Sequence, residues 1–251
     1  MGIKWGYLAG KPQRGIAGVQ FLSRWKNITW TGFVRLGYDE NVTVVMTREH
    51  CRLALYRFVE LPGAKLLRAL GLTPNVITVM GFCICLLASA MVAWGWLVTG
   101  GIVFLLGGGL DLFDGGLARL NGSDSNFGAF LDSVFDRLGE SALFIGLAVF
   151  FLRNDLPGTS ILWVMIILLL ALVFSQSVSY LRARGEGLGV FTKSGLMTRS
   201  ERVVILGTGL VLDGLIPYPV MIWALGLIAV VSCFTLIQRM CTIGNILNKG
   251  R

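Results

Sequence analysis

From residue 75 onward the chain alternates long apolar runs with brief polar breaks. Six runs, approximately 75–97, 98–120, 126–152, 159–182, 201–216 and 217–239, approach the ~20 residues that a helix needs to cross a bilayer; the fifth is the shortest. Apolar residues occur on all sides of each run, as contact with lipid requires. The breaks at Asn121–Gly122, Pro157–Gly158 and 185–195 carry turn chemistry. Helices satisfy their own backbone groups inside a membrane, so the pattern predicts a bundle of six transmembrane α-helices. Residues 47–74 read differently. Leu53, Leu55, Phe58, Leu61, Leu66, Leu67 and Leu70 recur at helical spacing among Arg52, Arg57, Lys65 and Arg68, which predicts a juxtamembrane amphipathic helix bent at Pro62–Gly63. Residues 1–46 form a basic, Gly- and Trp-rich extension with no signal-peptide core.

Composition turns this pattern into a class. Apolar residues make up 55% of the 251 and charged residues only 14%, against about 25% charged in a soluble domain. The fold expected is therefore an all-α integral membrane protein, with the six-helix domain over 75–247. A net charge of +8 invites a nucleic-acid reading until the charges are located. Of the 22 Lys and Arg, all but Arg137 and Arg153 fall on one side of a six-span layout. That places both termini and the basic loops in the cytoplasm and leaves no reason to invoke nucleic acid. On this topology the triplets at Asn27 and Asn41 are not glycosylation sites. The five Cys lack paired metal-ligand spacing, and one His cannot build a His-based metal site.

The second and third runs contain what a lipid-facing helix does not tolerate. Asp111 and Asp114 stand at i and i+3, and Asp132 and Asp136 at i and i+4, so each pair shares a helical face. Both pairs lie roughly 9 to 15 Å inside the cytoplasmic ends of helices joined by a short loop, and all four carboxylates can converge in one cavity. Such a group either shares protons or binds divalent cations, and all-oxygen donors suit Mg²⁺ or Mn²⁺. A single intramembrane Asp could cap or pair with an Arg; four at facing spacings point to function. Gly115, Gly116 and Gly128 leave room beside them, although close helix packing also uses such glycines, and Gly107, Gly108 and Gly109 fit packing alone.

Residues 111–136 together read D-x-x-D-G-x-x-A-R, eight residues, then G-x-x-x-D-x-x-x-D. This resembles the complete signature of the CDP-alcohol phosphatidyltransferase family, filled by Asp111, Asp114, Gly115, Ala118, Arg119, Gly128, Asp132 and Asp136. The resemblance extends over roughly 47–247. It implies transfer of a substituted phosphoryl group from a CDP-linked lipid, CDP-diacylglycerol, to a small polar alcohol, with release of CMP. It implies two Mg²⁺ or Mn²⁺ ions, the first on Asp111, Asp114 and Asp132 and the second on Asp111, Asp132 and Asp136. Asp136 would also be the base that deprotonates the acceptor hydroxyl. The run Thr73-Pro74-Asn75-Val76-Ile77-Thr78 resembles the family's entry to its first span, so Asn75, Val76, Ile77 and Thr78, with Gly115, Arg119 and Ser125, would contact the CDP-lipid. Thr73-Pro74-Asn75 is also a sound helix start.

Acceptor choice rests on other residues. Residues 179–184 and 199–202 resemble the prokaryotic phosphatidylinositol-phosphate synthase branch, which implies an inositol phosphate acceptor held by Arg182, Arg184, Arg199 and Arg202. Guanidinium geometry suits a phosphate clamp, while the plainer account of these arginines is topology. Arg182 departs from the Lys common in that branch. Members of the branch begin near the position of Met46, so residues 1–45 are either an extension or the product of an upstream start. The family also implies a homodimer. Two alternatives remain at this point: phosphatidylglycerophosphate synthesis from glycerol 3-phosphate, and divalent-cation transport. Transport gives no role to Arg119, the Thr-Pro-Asn entry or the arginine cluster.

Overall fold

A computed structural model describes residue 63 and residues 71–121, 125–154, 158–191 and 195–249; over 111–121 it describes side chains only at Phe113 and Leu117. The extension 1–46 and nearly all of the expected amphipathic helix over 47–74 lie outside the described residues. Among the described residues six helices follow one another: α1 Pro74–Ala93, α2 Leu97–Asn121, α3 Asn126–Arg153, α4 Ile161–Gly187, α5 Arg199–Leu215 and α6 Val220–Lys249. The all-helical expectation holds, with boundaries close to the apolar runs.

Local chemistry sets the helix starts. Thr73 is extended and Pro74 occupies the first turn of α1, where its missing N–H costs nothing. The Ser125 hydroxyl accepts from the Gly128 N–H at 3.0 Å and caps α3. The Glu201 carboxylate accepts from the Thr198 N–H at 2.7 Å, one half of a capping box, and starts α5 at Arg199.

Among the described residues three helices are long and apolar enough to cross a membrane: α1, α4 and residues Val220–Asn248 of α6, each with an 18-residue stretch of mean hydropathy 2.5. In α2 the stretch Leu97–Leu110 is apolar, and Asp111 and Asp114 follow it in the sequence. In α3 the residues Asp132, Asp136, Arg137 and Glu140 interrupt the apolar sequence, and α5 has only 17 residues. Charged side chains, rather than helix length, set α3 apart from α1, α4 and α6.

The helix α1 packs on α2 and α3, α5 packs on α2 and α6, and α4 packs on α6 and more lightly on α3. Phe104, Leu143, Phe144, Leu147, Leu206, Leu210, Leu225 and Ile228 make the shared apolar core. Outside it, Leu87, Leu106, Leu169, Leu170, Val173, Leu227 and Val230 are exposed, which is the surface a bilayer would cover. Trp94, Trp96, Trp163, Tyr218 and Trp223 are also exposed; they sit at the α1–α2 connection, near the start of α4 and around the α5–α6 connection.

Glycines allow α2 and α5 to touch. A Cβ on Gly101 would lie 2.8 Å from the Gly207 carbonyl oxygen and 2.9 Å from Leu210 Cβ, and one on Gly108 would lie 2.7 Å from Val203 Cγ1. Gly107 plays the same part against Cys85 of α1, whereas Gly109 faces open space. The obstruction at Gly101 includes backbone, which cannot turn aside. Gly101→Val is expected to destabilise the fold by about 1–3 kcal/mol, read as a lower thermal midpoint of the detergent-solubilised protein; an unchanged midpoint would show that the two helices can separate freely.

Candidate active site

A cavity of about 280 Å³ opens where α3, α4, α5 and α6 meet. The helix α3 contributes Asp132, Ser133, Asp136 and Arg137 to its wall, and α4 contributes Ser179, Arg182 and Glu186. Thr198, Arg199 and Arg202 come from the start of α5, and Arg239 from α6. Asp132 and Asp136 also line a smaller neighbouring cleft with Ile77, Thr78 and Gly107. The two carboxylates thus stand between the arginine-rich cavity and the junction of α1 with α2. Asp111 and Asp114 follow Gly107 by four and seven residues in α2, a register that shares one helix face. The side chains of Asp111, Asp114, Gly115 and Arg119 lie outside the described residues.

Each cationic group has a distinct setting. Arg199 Nη1 is 2.6 Å from Asp136 Oδ2, and both side chains keep about a fifth to a quarter of their exposure. Arg202 is completely buried. Its Nε lies 2.6 Å from Glu140 Oε1 and its Nη2 2.9 Å from Glu140 Oε2, and Nη2 also reaches the Ser179 hydroxyl at 3.2 Å. Arg182 pairs with Glu186 at 3.0 Å on an exposed turn of α4. Arg239, 4% exposed, donates to the Val178 carbonyl at 2.9 Å. Arg184 is exposed and does not line the cavity.

The segment entering α5 is held on this wall. Gly195 has φ 134°, and a Cβ there would meet Arg239 Nε and Nη2 at 3.0 Å. Both the backbone conformation and the close approach require glycine. Two residues on, the Met197 N–H donates to the Thr235 hydroxyl at 3.2 Å. The first turn of α5, with Arg199 and Arg202, is therefore fixed against α6.

At the start of α1 the expected lipid-side residues divide. Ile77 is buried against Leu117, and Thr78 donates its hydroxyl to the Pro74 carbonyl at 3.1 Å; both line the smaller cleft. A Cβ on Gly128 would lie 3.2 Å from Asn75 Oδ1 and 3.1 Å from Ser125 Oγ, so this glycine makes space for both. Val76 is exposed and lines neither cavity.

The structure thus gathers Asp132, Asp136, Arg182, Arg199 and Arg202 around one cavity and leaves Arg184 outside it. It adds Arg239 and Ser179 to the wall and Glu140 behind Arg202, none of which sequence reasoning singled out. A signal for Glu140 existed, since an acidic residue one turn after Asp136 inside a predicted span is unusual. Arg239 gave no comparable signal, because beyond the apolar run it reads as a topology charge.

Comparison with known proteins decides what this arrangement belongs to. The sequence profile of the CDP-alcohol phosphatidyltransferases matches residues 71–234. The chain belongs to that family. It is 35% identical over 208 residues to the phosphatidylinositol phosphate synthase of Cutibacterium acnes, covering 78% of this chain and 96% of the relative. It is 36% identical over 171 residues to the archaetidylinositol phosphate synthase of Methanothermobacter thermautotrophicus, covering 68% and 83%. The crystal structure of Mycobacterium tuberculosis phosphatidylinositol phosphate synthase with CDP-DAG bound superposes with a TM-score of 0.65 at 32% identity, covering 74% of this chain and 93% of that one. A second structure of that enzyme holds manganese and citrate, with the same TM-score and identity and coverage of 74% and 88%. Membership in this CDP-alcohol phosphatidyltransferase family makes the protein an enzyme, and the transport alternative falls with it.

Proposed function

We propose that the protein transfers the phosphatidyl group of CDP-diacylglycerol to inositol phosphate, releasing CMP, at a cytoplasm-facing site in a six-span membrane domain covering 75–247. The observation that carries this reading is the shared cavity. Asp132 and Asp136 stand on the same wall as Arg182, Arg199, Arg202 and Arg239, so a carboxylate site adjoins a site for a phosphorylated acceptor. The names of the relatives favour inositol phosphate over glycerol 3-phosphate as that acceptor.

Roles follow from chemistry and position. Asp132 and Asp136 line the cavity one helical turn apart and offer only carboxylate oxygen, the donor class of hard divalent cations. The donor set therefore fits Mg²⁺ or Mn²⁺, with Asp111, Asp114 and Asp132 holding one ion and Asp111, Asp132 and Asp136 a second. Bound ions would neutralise the pyrophosphate and stabilise the departing CMP. Asp136 accepts the proton of the acceptor hydroxyl. Asn75, Ile77, Thr78, Gly115, Arg119 and Ser125 form the CDP-lipid side, with Val76 turned outward. Arg182, Arg199 and Arg202, joined by Arg239, form the acceptor side.

Orientation is supported by the distribution of Lys and Arg. The basic loops gather at one set of connections, as the positive-inside rule requires of a cytoplasmic face. On this reading residues 47–74 lie along the cytoplasmic leaflet, residues 1–46 precede them in the cytoplasm, and two copies assemble as a homodimer.

The test is CMP release from CDP-diacylglycerol with inositol phosphate, glycerol 3-phosphate, serine and free inositol offered separately. Inositol phosphate is expected to support turnover at least about tenfold faster than the unphosphorylated acceptors, since a charge-assisted contact is worth roughly that much. Release with glycerol 3-phosphate alone would overturn the acceptor assignment, and no release with any acceptor would overturn the transfer reading.

A further inference from the structure

The buried pair of Glu140 and Arg202 has no part in the chemistry assigned above to the aspartates. We infer that Glu140, with the Ser179 hydroxyl, is a positioning residue for the acceptor's phosphate, acting by fixing the guanidinium of Arg202; this rests on the proposal that the acceptor is phosphorylated. A guanidinium carries five N–H donors in a rigid planar fork. Here Nε and Nη2 meet the two oxygens of Glu140, and Nη2 also meets Ser179 Oγ. The side chains of Arg202 and Glu140 are each only 1% exposed. One edge of the fork is committed to the protein, and its plane and rotation are set.

What remains is Nη1. It is buried and has no hydrogen-bond partner among the described residues, although Arg202 forms part of the cavity wall. Buried polar groups of native proteins are nearly always satisfied, and an exception calls for a ligand or an ordered water. An anionic oxygen seated in the cavity would supply the missing acceptor. The neighbouring rung differs in kind. Arg199 and Asp136 pair while remaining partly exposed, whereas Glu140 and Arg202 make a buried two-point contact. Asp136 and Glu140 are four residues apart on α3, and Arg199 and Arg202 three apart on α5. The deeper rung thus holds the more exposed one in register, and Ser179 of α4 meets both helices, its hydroxyl accepting from Arg202 and its carbonyl from Arg137 of α3 at 3.4 Å.

Glu140 therefore acts through Arg202 and touches no substrate. Replacing it by Gln keeps its size and removes its charge. A buried guanidinium without its counter-charge is unstable where it stands, and Arg202 then turns toward the remaining carboxylates of the cavity, Asp132 and Asp136. The phosphate loses an aimed donor, while the lipid side beyond α3 is untouched.

The measurement is steady-state CMP release by full-length protein in mixed micelles, with inositol phosphate and CDP-diacylglycerol varied in turn. Glu140→Gln is expected to raise KM for inositol phosphate about tenfold, the value of one charge-assisted contact, and to leave KM for CDP-diacylglycerol within about twofold. Glu140→Asp, which restores the charge at shorter reach, should recover part of the loss. Inhibition by inorganic phosphate competing with the acceptor should weaken in parallel. Equal changes in both KM values, a fall in KM for inositol phosphate, or a loss confined to kcat would each overturn the inference. Should Glu140→Gln not yield folded protein, Ser179→Ala removes only the third contact. It should raise the same KM about two- to threefold, and an unchanged value would overturn the inference. Wild-type protein inactive with inositol phosphate would instead overturn the acceptor proposal on which this one rests.

Discussion

Asp136→Asn is expected to lower CMP release by a factor on the order of 10³ or more while leaving helix content and detergent solubility unchanged. The substitution preserves shape and removes a full negative charge and a basic oxygen at the same time. General-base catalysis alone is worth about 10² to 10⁴ in rate, and an amide oxygen is also a poor substitute for a carboxylate as a cation ligand. The fold is not expected to suffer, because Asp136 lines the cavity and its ion pair with Arg199 remains partly exposed. Structure at α3 and α5 is carried by the buried Glu140 contact and by the glycine-mediated seam between α2 and α5. The check is initial-rate CMP release, with circular dichroism of the same preparation. Activity within tenfold of wild type would remove Asp136 from the role of base.

Removal of divalent cations should have an effect of similar size. Chelation with EDTA is expected to reduce CMP release to background, and Mg²⁺ or Mn²⁺ added in excess to restore it. The physical reason is the pyrophosphate of the donor lipid. It brings further negative charge to a site already lined by Asp132 and Asp136, and like charges at close range in a poorly screened cavity repel strongly. The arginines do not relieve this by themselves, since three of them are already engaged: Arg199 with Asp136, Arg202 with Glu140 and Arg182 with Glu186. Cation binding to the protein without substrate, followed by calorimetry, separates a binding defect from a catalytic one. Turnover that persists in EDTA would sink the metal-dependent mechanism.

The helices were legible in the sequence because hydropathy and turn chemistry report backbone organisation directly. All six apolar runs became helices, and the fifth, expected from 201, starts at Arg199 behind the Thr198–Glu201 cap. Helix ends were less legible. The run ending at 239 suggests a stop there, yet α6 continues to Lys249, because a helix needs hydrogen-bonded backbone rather than apolar side chains to continue past a bilayer. That continuation makes Arg239 a buried donor on the cavity wall instead of a tail charge. The aspartates were legible because acidic residues in a span are rare enough to stand out. The arginines were legible as a group and not one by one. Arg182 and Arg184 are two residues apart on α4, about 200° around a helix, so only one of them can face a given cavity. Glu140 escaped because its meaning depends on Arg202, sixty-two positions later, and no local pattern links the two.

The placement of two Asp in each of α2 and α3 also bears on how the protein is made. The helices α1, α4 and α6 are apolar enough to enter a bilayer on their own account. A single Asp at the centre of a span opposes insertion by about 2.5 to 3.5 kcal/mol, and on the six-span reading α2 and α3 each carry two. Each of these two packs on α1, which offers both a protein face at insertion. The residues that form the site are thus a burden on biogenesis, and α1, which emerges just before them and packs on both, is the helix placed to receive them.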